Sequence, residues 1–297
     1  MTPAGSTRLR LLPGGLLLIL ALAVDTAVAA DRLSVRWQPA KPRVGDVALM
    51  LLRGAPDDAT VEGMVDGRPL TFFPYAGGRA ALVGFDLEVK AGVKPWRLAV
   101  LVREGDARTA SGKVRVAPRT FPVQRLSLPS GMVDLDPETE RRAVSEGERL
   151  RTLYRTITPE RLWRGPFTRP VGGTGPGTGF GARRVINGKP RMPHGGADYA
   201  ASAGTPVVAV NTGRVALVAD FFFPGRLVAI DHGLGLYTLY FHLESAVVSQ
   251  GDLVERGQTI GTVGATGRAT GPHLHFGAHV AGARIDPATL LELGVRD

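Results

Sequence analysis

The sequence predicts a mainly β protein of two units joined by a short helical linker, and three observations predict it. Gly and Pro, 39 and 22 residues of 297, make about a fifth of the chain, while aromatics are only 6%. Short apolar runs alternate with Pro/Gly/Asp clusters, as in strands joined by tight turns. A single Glu/Arg-rich stretch free of interior proline, Pro137 to about Thr156, separates two such regions.

The composition also excludes several classes. At 44% hydrophobic and 21% charged, the chain is neither disordered nor collagen-like. It has no cysteine, which excludes a disulfide scaffold, thiol catalysis, Cys-ligated metal and a lipid-modified N-terminal Cys. The formal charge of +9 is spread thinly, with no Lys/Arg block and no basic–aromatic interleaving. No nucleic-acid partner is expected. A mildly basic surface suits an anionic polymer such as a cell envelope.

Residues 1–30 read as a secretory signal. Arg8 and Arg10 precede an apolar run from Leu16 to Val24, and Ala27-Val28-Ala29 offers small residues for cleavage. Nine apolar residues are too few to cross about 30 Å of hydrocarbon, so no membrane span is expected in the mature chain. Residues 31–136 contain strand-like segments around Val35, Val47–Leu52, Arg97–Val102 and Lys113–Val116. They suggest an immunoglobulin-like β-sandwich, with Trp37 and Trp96 in its core. No titratable cluster occurs there.

Residues 137–179 are the linker. Asp136 before Pro137 is a helix start, a capping side chain followed by Pro at the first helical position. The run Gly172 to Gly179 lacks the Lys of a phosphate-binding loop. Residues 180–297 return to strands, an antiparallel all-β unit whose helical period reappears only at Pro287–Leu293.

All six histidines fall between positions 194 and 279. That clustering of a common metal ligand points to a metal site. In His194-Gly195-Gly196-Ala197-Asp198 the glycine pair disfavours a helix, and in an extended chain positions four apart share a face. In His273-Leu274-His275-Phe276 both imidazoles of a strand share one face while Leu274 and Phe276 turn to the core. In Leu236–Leu243 alternation puts Leu236, Thr238, Tyr240 and His242 on one face and Tyr237, Leu239, Phe241 and Leu243 on the other. His194, Asp198 and one imidazole of the pair would give three N/O ligands, the count of a zinc with an open position. Imidazole with carboxylate suits zinc better than calcium or magnesium. No His-Glu-x-x-His occurs, so the helical zinc-peptidase arrangement is absent.

Phe180-Gly181-Ala182-Arg183-Arg184, Asn187-Gly188, His194-x-x-x-Asp198, Tyr240-Phe241-His242-Leu243 and Gly271-Pro272-His273-Leu274-His275-Phe276 resemble the lysostaphin-like (LytM-type) zinc metalloendopeptidases that cut peptidoglycan. The resemblance runs from about Phe180 to Pro287. It implies His194, Asp198 and His275 as ligands of one Zn2+, His273 as general base, and His242 as the residue that orients water or stabilises the oxyanion. Less specifically, residues 31–165 look like the N-terminal region of two-domain bacterial members.

Arg183, Arg184, Asn187 and Tyr240 are candidate substrate-groove residues, since guanidinium groups suit the carboxylates of a peptide. His232 reads as structural, and His279 as a solvent-facing residue further along the His-x-His strand. Phe221-Phe222-Phe223 either walls the cleft or packs in the core. The expected function is an exported, periplasmic peptidoglycan hydrolase. The alternative is a non-catalytic wall-binding regulator on the same fold. The N-terminal unit is a candidate autoinhibitor.

Overall fold

The computed structural model describes residues 32–102, 107–175 and 177–295; the expected signal segment lies outside them. Eight strands come first: β1 (Ser34–Gln38), β2 (Val47–Arg53), β3 (Thr60–Val65), β4 (Arg68–Leu70), β5 (Phe72–Tyr75), β6 (Gly78–Gly84), β7 (Gly92–Leu101) and β8 (Ala107–Val116). They form two antiparallel four-stranded sheets, ordered β1-β2-β6-β5 and β4-β3-β7-β8. Met50, Leu52, Val83, Phe85, Val100 and Val114 fill the space between, with Trp37 and Trp96 packed against them. β1 to β8 thus form a two-sheet sandwich.

β2 is buried on both faces. Ala48, Met50 and Leu52 point into the sandwich, whereas Val47 and Leu49 join the core of the C-terminal half, with Leu82 and Trp163. Double-sided burial explains why Val-Ala-Leu-Met-Leu-Leu lacks the polar alternation of a solvent-facing strand. The two halves therefore share a core. Arg119 adds a polar clamp, 3.7 Å from Asp46 and 2.6 Å from Asp286, and Arg284 pairs with Asp86 at 2.9 Å.

The chain leaving the sandwich forms β9 (Val123–Leu126), and the linker supplies α1 (Pro137–Arg155). Asp136 caps α1 as expected, accepting from the N–H groups of Glu138 and Thr139. α1 buries Leu150 and Tyr154 against Leu217, Phe221, Leu227 and Tyr237. Glu146 fixes it by accepting from Phe222 N at 2.7 Å. α1 thus lies against the C-terminal sheet.

β10 (Arg183–Ile186) and β11 (Lys189–Pro190) form a small sheet with β9, while the C-terminal sheet is built from β12 (Gly196–Ala200), β13 (Pro206–Val208), β14 (Gly213–Phe221), β15 (Gly225–Asp231), β16 (Leu236–Ala246), β17 (Leu253–Val254), β18 (Thr259–Val263), β19 (His273–Val280) and β20 (Ala283–Ile285), followed by α2 (Pro287–Leu291). The main order is β12-β19-β16-β15-β14-β17, all antiparallel. β10 lies between β11 and β9, and its pairing with β9 is parallel. The chain leaving the sandwich is thereby laid beside the segment that leads into the first histidine. Among the described residues no helix is long and apolar enough to cross a membrane.

Candidate metal centre and catalytic cleft

β12 and β19 are antiparallel neighbours, with Asp198 opposite His275 and Ala200 opposite His273. Opposed residues share a face, so the Asp198 carboxylate stands beside the His275 ring. His194 arrives from the preceding loop, where Gly181 N donates to its carbonyl and its own N–H donates to Ala182 O. Its ring packs on Gly179, whose φ of +89° and missing Cβ leave the room.

Three ligand-type atoms converge. His194 Nε2 lies 2.8 Å from His275 Nδ1, and Asp198 Oδ1 lies 3.1 Å from the first and 3.0 Å from the second. Burial alone would raise the Asp198 pKa, but the hydrogen bonds from His194 and His275 hold it well below the usual carboxylate range. Burial pushes His275 down to about 4. The result is an ionised carboxylate facing the neutral His275 ring, with the His194 ring beside them, a donor set suited to a cation.

Two further imidazoles border this group, and backbone carbonyls fix both. His273 Nδ1 donates to Gly271 O at 2.8 Å, and His242 Nδ1 donates to Thr266 O at 2.8 Å. A carbonyl can only accept, so the neutral form of each ring carries its lone pair on Nε2. His273 Nε2 points toward Asp198 Oδ1 at 3.9 Å, and the His242 and His273 ring centroids are 4.8 Å apart. Burial, followed by the nearby His275, pushes His242 down to about 3.

His242 reaches this cluster by breaking the strand pattern. Alternation on β16 assigns it to the face of Tyr240, but that face is the core. Tyr240 stands opposite Phe276, and Phe241 opposite His275, with the Phe241 and His275 rings stacked at 5.2 Å. The site face is thus the one carrying Tyr237, Leu239 and Phe241. A left-handed backbone at His242, φ +62°, turns its ring back onto that face. The strain is held by a lock between two loops: His242 N donates to Pro224 O, Arg268 N to Phe223 O, and Arg226 N to Thr266 Oγ1. A Cβ at Gly225 or Gly267 would collide with the other loop's backbone.

The other candidates separate. Tyr240 is fully buried, and its hydroxyl accepts from Val210 N at 3.0 Å and lies 3.1 Å from Thr238 Oγ1; it lies in the core, away from the cleft. Asn187 clasps Leu128, accepting from its N–H at 3.0 Å and donating to its carbonyl at 2.8 Å. Arg183 is exposed, whereas Arg184, next along β10, lines the cleft. His232 is structural, bonded to Thr212 O at 2.8 Å and Thr238 Oγ1 at 2.7 Å. His279 is buried rather than solvent-facing, its ring 4.0 Å from that of Tyr154. Phe221 packs under α1, while Phe223 lines the groove beside the cleft. Gln124, Leu126 and Leu128, from the segment after the sandwich, form one cleft wall. Arg268 also lines it; nothing in the sequence around Thr266-Gly267-Arg268 marks it out.

The profile of Peptidase family M23 matches residues 192–287, the span of the convergent residues. A crystal structure described as a peptidase M23 from Pseudomonas aeruginosa is 31% identical, covering 84% of this chain and 95% of that one, with a TM-score of 0.65. This chain belongs to peptidase family M23. Further M23-region similarity reaches the Vibrio cholerae protein named peptidoglycan DD-endopeptidase ShyB, 42% identical over 95 residues. The Neisseria meningitidis protein named DD-carboxypeptidase/endopeptidase Mpg is 43% identical over 97 residues. Those matches cover 32% and 33% of this chain and 22% of the length of each relative.

Proposed function

We propose that the protein is an exported zinc metalloendopeptidase that hydrolyses peptide bonds of peptidoglycan. The observation that carries the reading is the triangle of His194 Nε2, His275 Nδ1 and Asp198 Oδ1, with 2.8–3.1 Å edges. Two ring nitrogens 2.8 Å apart can share only one proton, and the carboxylate adds a negative charge. A central cation relieves that arrangement. Ligands at about 2.0–2.1 Å in a tetrahedral shell lie roughly 3.3 Å apart, so the donors fit zinc to within a few tenths of an ångström. When bound, zinc supplies Lewis acidity that activates water and polarises a peptide carbonyl.

His273 serves as general base. Its Nε2 lone pair takes the proton of the attacking water and passes it to the leaving amine. His242, also with its lone pair at Nε2, accepts a hydrogen bond from that water and orients it; stabilising an oxyanion would require a proton that burial opposes. The name of the Vibrio relative supports peptidoglycan as substrate, and the signal-like residues 1–30 support export.

The test measures zinc content and release of peptides from purified sacculi, with His273→Ala as control. Near-stoichiometric zinc with cleavage lost in the control is expected. Zinc without cleavage by the wild type would favour a wall-binding regulator, and a protein unable to bind zinc would overturn the ligand assignment.

A further inference from the structure

Beyond the histidines, the cleft opens into a groove of about 800 Å³ between α1 and the segment 189–193. Arg184 and Arg268 line both spaces. The groove wall carries five cations, Arg151, Arg184, Lys189, Arg191 and Arg268, against two carboxylates, Asp134 and Glu140. Lys189 and Asp134 neutralise each other at 2.6 Å. The charge left nearest the cleft is therefore that of three arginines.

Their partners differ. Arg184 donates to Gln124 Oε1 at 3.2 Å and lies 3.7 Å from Asp198 Oδ2. Arg191 donates to Val133 O at 3.2 Å. The Arg268 guanidinium sits 4.0 Å above the Phe223 ring and has no acidic partner among the described residues. Burial, then the charges of Arg184 and Arg191, pushes its pKa down to about 10. A half-buried cation crowded by like charges and without a counter-charge of its own, as Arg268 is, is costly until an anion joins it.

We propose that Arg268, flanked by Arg184 and Arg191, is a carboxylate-binding subsite, so that the peptide cleaved here carries a carboxylate where it passes from the catalytic cleft into the groove. The proposal rests on the hydrolase reading for its peptide. A guanidinium seated over an aromatic ring keeps its N–H donors for a ligand, and its fork can pair two N–H groups with two carboxylate oxygens. Val144, Met192 and Phe223 give the same groove an apolar side, which suits a peptide better than a free inorganic anion. A bridge made only of glycine offers no carboxylate side group and leaves Arg268 unmatched.

The experiment compares a cross-linked peptide dimer released from sacculi with the same dimer whose carboxyls are converted to carboxamides. Wild type, Arg268→Gln and Arg268→Lys are assayed for cleavage and, by calorimetry on the zinc-free proteins, for binding. In the variants the melting temperature reports an intact fold. We expect Arg268→Gln to lower kcat/KM and affinity for the carboxylate dimer about 10- to 100-fold, mainly through KM. Arg268→Lys should recover only part of the loss, and the carboxamide dimer should not distinguish the three proteins. Equal handling of both dimers by the wild type, or equal losses on both in Arg268→Gln, overturns the subsite while leaving the hydrolase reading intact. Arg268-dependent binding of the carboxylate dimer without cleavage by the zinc-loaded wild type supports the subsite and overturns the hydrolase reading.

Discussion

β19 carries His273, His275 and His279 on one face, at even spacing, yet its two ends have different chemistry. At the start of the strand, His273 and His275 look into a cleft, 3.9 and 3.0 Å from Asp198 Oδ1. At its far end, His279 is sealed beneath Tyr154 of α1, and its Nδ1 has no hydrogen-bond partner. The strand period decides which face a side chain occupies. What covers that face is decided elsewhere in the chain, here by a helix more than a hundred residues earlier in sequence. An imidazole is free to act as a ligand or a base only where the cover is missing, and here a carboxylate stands opposite.

The sharpest way to break this comparison is at the open end. His275→Ala removes one of the three proposed ligand atoms, so zinc retention after dialysis against a chelator should fall by orders of magnitude and peptide release should vanish. Full zinc retention would show that the triangle is not the site. His273→Ala should separate the two roles within that end: zinc content stays near that of the wild type, while kcat falls about 10²- to 10⁴-fold, the worth of a general base. Parallel loss of zinc and activity in His273→Ala would make it a ligand instead.

The sealed end should respond in stability and not in catalysis. Tyr154→Ala opens a cavity above His279 and should cost about 3–5 kcal/mol, as aromatic truncations in cores do, read as a lowered urea midpoint. Its kcat per folded molecule should match the wild type. A selective loss of kcat would mean that α1 tunes the catalytic end as well.

The same end predicts a pH dependence. Burial, followed by the charge of Arg284, pushes the His279 pKa down to about 3, with Asp86 opposing. It is therefore neutral in the fold, whereas in the unfolded chain it titrates near 6.5. Its contribution to stability is complete above about pH 6.5 and is lost as pH falls toward 3, because the unfolded chain takes up the proton first. Each pH unit in that window costs about 1.4 kcal/mol. His232, pushed by burial to about 4, adds to the same slope. Replacing His279 with Leu should flatten the wild-type fall in urea stability between pH 6 and pH 4.5; an unchanged slope would mean that His279 is charged or exposed in the fold.

The difference between the two ends also marks how far the sequence could be read. Alternation in His-Leu-His-Phe correctly faces both imidazoles away from Leu274 and Phe276, and the Asp136-Pro137 start of α1 is legible because capping is local. The same alternation fails at His242. It groups that residue with Tyr240, and only the backbone turn at φ +62° reverses the assignment. That turn is imposed by the loop of Gly225 meeting the loop of Gly267, a contact between segments some forty residues apart. Double-sided burial of β2 and the cover over His279 are likewise tertiary facts, and Arg268 owes its place to the same pair of loops. The convergence of His194, Asp198 and His275 was foreseeable as a set of residue types, while its distances required the β12–β19 register.

The smallest expected effect sharpens the same distinction between face and cover on β10. Arg183 and Arg184 are adjacent, so their side chains leave the strand on opposite faces. Arg184 lines the cleft and approaches Asp198, while Arg183 is exposed and lines none of the clefts described above. Arg183→Gln should leave zinc content unchanged and kcat/KM within about twofold of the wild type, as expected of a surface substitution away from such features. Arg184→Gln, by contrast, removes a cation beside a ligand carboxylate and should weaken both zinc retention and turnover. If the Arg183 variant instead lost activity while the Arg184 variant kept it, the β9–β10 register would be off by one residue. The cleft wall would then be lined by the opposite face of β10.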